Sequence, residues 1–280
     1  MKDMKFNIPF FVSFVIKIMI GYNSNPSSEV KSGKLSMENK CSAVIIGVGP
    51  EQGLGATLST LFSGKGLHVF IAGRSEDKLH KIAEKIRQNG GSATPVVADA
   101  TVELEVAHLF NKVRLEGFCV DIAAYNVDSN IPSPLLETDI DTFTKLWQQN
   151  CLGAFLFGRE AINAMKDLRQ GTMFFTGATA SLRAKPPFTA FASAKAGLRA
   201  LAQGMAREFS PQGIHVVHTI IDGVIDGERA RNQFPDYVKA KGKDGLLQLD
   251  AIAETYWAIH KQHPSAWTHE LDLRPFKEPF

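Results

Sequence analysis

Net charge is nearly absent from this chain of 280 residues: 31 Lys and Arg stand against 29 Asp and Glu, a formal balance of +2. No strong field toward nucleic acid or an anionic membrane follows. Cysteine is scarce as well. Cys41, Cys119 and Cys151 are odd in number and lack metal-ligand spacing. They read as thiols in a reducing compartment, which excludes a disulfide framework and a zinc site. His215, His218, His260, His263 and His269 form no pair at helical metal-binding spacing beside an acid, so no metal is expected. A confident membrane span is missing too. Residues 6–20 are mostly apolar, but the run is short and Lys17 interrupts it. It reads as a signal peptide or anchor, though no small-x-small cleavage site follows Gly21, or as an extension the fold can lose. A chain starting at Met37 keeps every element the fold needs. Residues 22–40 are polar and linker-like. The expected organisation is an N-terminal extension over 1–40 and one domain over 41–280, cytoplasmic unless 6–20 sends it to a membrane or the secretory pathway.

What the chain does have is a regular alternation. Its 44% hydrophobic content supports a sizeable core. Ala43-Val-Ile-Ile46 is a short unbroken apolar run, as a strand buried on both faces requires. Leu54, Leu58, Leu61 and Phe62 then recur at helical spacing. Further strands are expected over 67–72, 93–98, 120–125, 172–176, 215–221 and 267–273. Helices are expected over 76–88, 102–115, 141–165, 188–209 and 250–260, with Ser75 as a cap. Strands alternating with helices imply right-handed crossovers and a parallel sheet covered on both faces. That is a doubly wound α/β fold, whose ligands lie beyond the carboxyl ends of the strands.

The turn after the first strand is Gly47-Val-Gly49-Pro-Glu-Gln-Gly53-Leu54-Gly55. Glycines there let a pyrophosphate approach the backbone, and the helix starting near Leu54 offers free N–H groups and a positive dipole end. At the end of the second strand, where a carboxylate would select NAD, the chain has Ile71-Ala-Gly-Arg74-Ser75. Arg74 is suited to a 2′-phosphate, so NADP is expected ahead of NAD. Asp99, after the third strand, is placed to accept from the adenine amino group or to cap its own loop.

The glycine spacing resembles the short-chain dehydrogenase/reductase family, and the similarity runs over residues 42–273. It implies a Rossmann-type sheet of about seven strands. Asn126 in Tyr125-Asn-Val-Asp128 partly matches the family's Asn-Asn-Ala-Gly stretch and implies a cofactor contact. Asn150 resembles its structural and proton-relay asparagine, and Lys195 its cofactor-binding lysine. Asp222-Gly223 resembles the Pro-Gly that opens the lid over the nicotinamide, which brings Gly223 and Ile225 to the cofactor. The lid would span 226–249. The resemblance also implies a small-molecule substrate and a homodimer or homotetramer built on helices 141–165 and 188–209.

One departure bears on chemistry. Hydride transfer to a carbonyl builds an alkoxide that an acid must neutralise. The family uses a Tyr four residues before the Lys and an orienting Ser thirteen before that Tyr. Here those positions hold Phe191 and Ala178, and the four tyrosines, Tyr22, Tyr125, Tyr237 and Tyr256, all lie elsewhere. Thr179 and Ser181 are candidate orienters, and Tyr125 is a candidate acid or a packed strand-end residue. Two functions follow. One is an NADP-dependent oxidoreductase of an unknown carbonyl or alcohol with a non-standard proton donor. The other is a nucleotide-binding regulator or scaffold without turnover.

Overall fold

The computed structural model describes residues 40–278; the apolar segment 6–20 and the linker lie outside them. Seven strands form one parallel sheet: β1 Lys40–Ile46, β2 His68–Gly73, β3 Ser92–Val97, β4 Phe118–Tyr125, β5 Thr172–Ala178, β6 His215–Ile221 and β7 Glu270–Leu273, in the order β3-β2-β1-β4-β5-β6-β7. The helices are α1 Leu54–Gly64, α2 Glu76–Gln88, α3 Glu103–Leu115, α4 Ile140–Trp147, α5 Gly153–Met165, α6 Thr189–Phe209, α7 Glu228–Gln233, α8 Pro235–Lys241 and α9 Leu249–His260. This is the expected Rossmann-type sheet, wound in opposite directions from β1 and β4.

The sheet carries a core on each face because successive strand residues point to opposite sides. Phe175 packs with Tyr125, with Phe157 of α5 and with Leu198 of α6. Its neighbour Phe174 packs with Leu58 and Phe62 of α1 and with Tyr256 of α9. Helix α2 shows how sequence makes an element here. Leu79, Ile82, Ala83 and Ile86 are its buried face, with Glu76 and Asp77 in the first turn and Lys85 and Arg87 in the last, as the helix dipole favours. Ser75 occupies the cap position, but its side chain makes no cap bond.

Two elements differ from expectation. The helix expected over 141–165 is interrupted by a π turn, Gln148–Leu152, between α4 and α5. Apolar periodicity continues on both sides of such an insertion, so the pattern alone does not reveal it. The last strand begins only at Glu270, and Trp267, expected within it, stacks flat on the His215 ring with centroids 4.6 Å apart. Among the described residues, no helix is long and apolar enough to cross a membrane.

Candidate active site

Beyond the carboxyl ends of β1, β2, β4, β5 and β6 lies a cleft of about 850 Å³, within the range of small-molecule and cofactor sites. The glycine turn forms one wall. Gly47 has φ +90°, and a Cβ there would sit 2.5 Å from the Asn126 backbone. A Cβ on Gly55 would meet the Gly47 carbonyl oxygen at 2.9 Å. Those two glycines let β1, α1 and the loop after β4 meet. Gly49 is different, because nothing lies within 4 Å of its missing Cβ. It leaves an open cradle in front of the α1 N-terminus, where Gly53 and Leu54 also line the cleft. Backbone N–H groups and a positive dipole end suit a pyrophosphate there. Asn126 ties the turn to β4, its Nδ2 donating to the Gly47 carbonyl at 3.4 Å.

Arg74 and Ser75 leave β2 at the far end of the cleft, beside Lys78. Arg74 is largely exposed and lies 3.9 Å from the Asp99 carboxylate. Asp99 also accepts from the Thr101 amide at 2.9 Å and from the Thr101 hydroxyl at 2.7 Å. Asp99 therefore caps its own loop and lines the cleft as well.

The other end of the cleft centres on Lys195. Its side chain is 1% exposed, and its ammonium donates to the Thr176 carbonyl at 3.1 Å and lies 3.2 Å from Asp128 Oδ1. Phe191 lies one turn earlier on α6, with its ring centre 5.7 Å from that ammonium, and lines the cleft. Asp128 also pairs with Arg229 of α7 at 3.5 Å, and Arg229 reaches Asn130. Asn150 stands in the π turn with its side chain fully buried. Its Nδ2 donates to the Leu146 carbonyl at 2.9 Å and the Ser129 carbonyl at 3.1 Å, and its Oδ1 accepts from the Ser129 amide at 3.4 Å. The Asn150 side chain is thus a clamp on the loop that carries Asp128. Sequence reasoning passed over Asp128; the available signal was an acid standing where the resembling motif ends in glycine.

The remaining candidates divide. Thr179 lines the cleft, but its hydroxyl donates to Asp222 at 2.5 Å. It can accept from a ligand hydroxyl and has no free proton for a carbonyl. Asp222 is buried and held by Arg183 at 3.3 Å and by Arg274. Asp226 binds Arg231 at 2.8 Å, and this hydrogen bond holds its carboxyl below the usual range. Gly223 and Ile225 line the cleft, and Leu247 pairs with Ile225 to brace the lid. Two orienting or acid candidates fall away. Ser181 is turned into the protein, where its Oγ accepts from the Ala178 amide at 3.2 Å. Tyr125 is wholly buried, and its hydroxyl donates to the Gln149 carbonyl at 2.5 Å. Burial pushes that phenol well above its ordinary range. Tyr125 is a core residue because its ring meets Phe157 of α5, 5.9 Å away, in the core on that face of the sheet. Among the described residues, no cluster of His, Cys, Asp and Glu is arranged to hold a metal ion.

Comparison with known proteins agrees with this geometry. The family model described as short chain dehydrogenase matches residues 43–237. An uncharacterized oxidoreductase of Staphylococcus aureus is 24% identical over 83% of this chain and 96% of its own. A crystal structure of a short-chain dehydrogenase from Rhodopseudomonas palustris is 36% identical, with TM-score 0.73 over 85% of this chain and all of its own. An actinorhodin polyketide ketoreductase with NADPH, 17% identical, shares the fold at TM-score 0.78. The glycine cradle, the buried lysine and these matches together make the chain a member of the short-chain dehydrogenase/reductase family, an NAD(P)-dependent oxidoreductase.

Proposed function

We propose that the protein uses NADP to interconvert a small alcohol and its carbonyl. The observation that carries the cofactor preference is Arg74 at the end of β2. It is exposed, lies with Lys78 and Ser75 on the cleft wall, and stands 3.9 Å from the Asp99 carboxylate. A guanidinium suits a 2′-phosphate, while a carboxylate there would suit a ribose hydroxyl. The ketoreductase that shares the fold was crystallised with NADPH, which fits this reading.

When bound, the nucleotide accepts or supplies a hydride. The chain does the rest. Gly49, Gly53, Leu54 and Gly55 would receive the pyrophosphate, and Arg74 the 2′-phosphate. Asn126 would hold the turn, and Lys195, Gly223 and Ile225 would border the nicotinamide ribose. The substrate would lie against Phe188, Phe191 and Phe234, which line the same end of the cleft. Thermal denaturation tests the preference: NADPH raises the melting temperature more than NADH at equal concentration. Equal shifts would remove the Arg74 argument.

We also propose a cytoplasmic homodimer or homotetramer. Phe143 and Trp147 on α4 and Phe155 on α5 are each about 40% exposed, more apolar surface than these helices need if they face only water. Sedimentation velocity distinguishes monomer from dimer or tetramer.

A further inference from the structure

Phe191 has no proton to exchange, yet each interconversion of alcohol and carbonyl moves one. The group that takes it must line the same end of the cleft. The ionisable side chains there, among the described residues, are Lys145, Arg183, Lys185, Lys195, Arg229 and Asp128. An arginine keeps its proton in proteins. Lys145 and Lys185 carry ammonium groups, which donate hydrogen bonds and have no lone pair to take a proton. Lys195 lines the cleft as an ammonium, which donates to Thr176, pairs with Asp128 and has no lone pair to accept a proton. Asp99 belongs to the Arg74 end, and Asp222 is enclosed by Thr179, Arg183 and Arg274. Asp128 alone joins a carboxylate, a place on the cleft wall and access to water, its side chain being 37% exposed.

We propose that Asp128 takes the substrate's hydroxyl proton in the oxidising direction and returns it in the reducing one; this rests on the dehydrogenase reading above. The alcohol carbon loses a hydride to the oxidised nucleotide, and its oxygen loses a proton to the Asp128 carboxylate. A carbonyl, the reduced nucleotide and a carboxylic acid result, and water carries the proton away. A carboxylate accepts from an alcohol hydroxyl, and a carboxylic acid donates to a carbonyl oxygen, so the one side chain serves both directions, with water supplying or removing the proton. The geometry is fixed in advance. Asn150 clamps the neighbouring Ser129 on both its backbone groups. Lys195 of α6 and Arg229 of α7 hold the carboxylate from two sides, and they are the charged groups that face it. The phenol missing from position 191 is thereby answered by a carboxylate across the same lysine.

The test uses wild-type protein, Asp128→Asn and the double variant Asp128→Asn/Phe191→Tyr. The probes are NADPH alone for calorimetric binding and 9,10-phenanthrenequinone for turnover. Asp128→Asn is expected to bind NADPH within about threefold of wild type and to reduce the quinone about a hundredfold more slowly; the double variant recovers part of the rate. An independent readout is Asp128→Glu, which restores a carboxylate and is expected to keep NADPH affinity and recover part of the rate lost in Asp128→Asn. Three results overturn the assignment: unchanged turnover in Asp128→Asn, loss of NADPH affinity in step with loss of rate, or Asp128→Glu no faster than Asp128→Asn. The second would give the carboxylate to holding the ribose. Wild-type protein that binds NADPH and reduces no quinone overturns the dehydrogenase reading instead, and the proposal with it.

Discussion

The Lys195 ammonium lies 5.7 Å from the centre of the Phe191 ring, a cation facing an aromatic wall with no hydroxyl on it. The ring is buried at the edge of the cleft, so one added oxygen would stand near both the lysine and the substrate. A cation beside a phenol favours phenolate and makes it a better proton-transfer group near neutral pH. Phe191→Tyr is therefore expected to raise NADPH-dependent carbonyl reduction about tenfold or more, read as nucleotide absorbance loss. A folded variant with bound cofactor and no gain would show that the pocket holds substrate elsewhere.

Arg74→Ala separates the two nicotinamide nucleotides. A charge-assisted bidentate contact is worth about 1.5–3 kcal/mol. Removing it is expected to weaken NADPH about tenfold or more and to leave NADH nearly unchanged. Titration calorimetry with both nucleotides checks this, and a parallel loss for both would tie Arg74 to the shape of the loop.

The two kinds of glycine in the turn predict opposite variants. Gly55→Ala places a methyl 2.9 Å from the Gly47 carbonyl oxygen and 3.0 Å from the Val48 Cα. Both neighbours are backbone, so something must shift, and a loss of about 1–3 kcal/mol is expected. Gly49→Val meets no atom within 4 Å of its Cβ. It is expected to keep its melting temperature and lose NADPH affinity, because its side chain enters the phosphate cradle. Denaturation and binding, measured on both variants, decide the point.

Acid sensitivity is expected from His218. The ring is wholly buried, and its Nδ1 lies 3.0 Å from Glu270 Oε2. Arg199 grips both Glu270 oxygens at 2.7 Å. Burial holds His218 down at about 4, and the Arg199 hydrogen bond holds Glu270 at about 2. At neutral pH a neutral imidazole thus donates to a carboxylate. The unfolded chain protonates His218 near pH 6.5, well before the folded one does. Stability is therefore full above about pH 6.5 and declines toward pH 4, by about 3 kcal/mol. Glu270 adds a further loss from about pH 4.5 toward pH 2. Melting temperature against pH should fall along this path in wild type and stay flatter between pH 6.5 and 4 in His218→Gln. Lys195 and Arg199 on α6 also face this histidine and disfavour its protonated form, which is part of why its folded value stays low.

Much of this architecture is legible from residue pattern. Ala43-Val-Ile-Ile46 followed by the glycines gives strand, turn and helix, and the 76–88 stripe gives α2 almost to the residue. Local chemistry decides those elements. The clamp of Asn150 on Ser129 was not legible, because it joins residues 21 positions apart through a helix irregularity that apolar spacing does not mark. Direction was lost as well. Tyr125 stands at a strand end facing the nucleotide side in sequence terms, but strand alternation sends its ring into the core. Ser181 and Thr179 are two residues apart in one turn, yet one faces inward and the other lines the cleft. Asp128 was hidden for a simpler reason: its role depends on Lys195 and Arg229, which only the folded sheet brings to it.

The π turn at Gln148–Leu152 acts as an angular offset between α4 and α5. Each helical residue advances the side-chain direction by about 100°. Deleting one residue to restore a regular helix would rotate Leu156, Phe157 and Ala161 of α5 out of the core they now fill. Keeping those in place would instead turn α4 and swing Asn150 away from Ser129. The irregularity is thus locked from both ends, and the chain cannot straighten this helix by small steps without losing either its packing or its clamp.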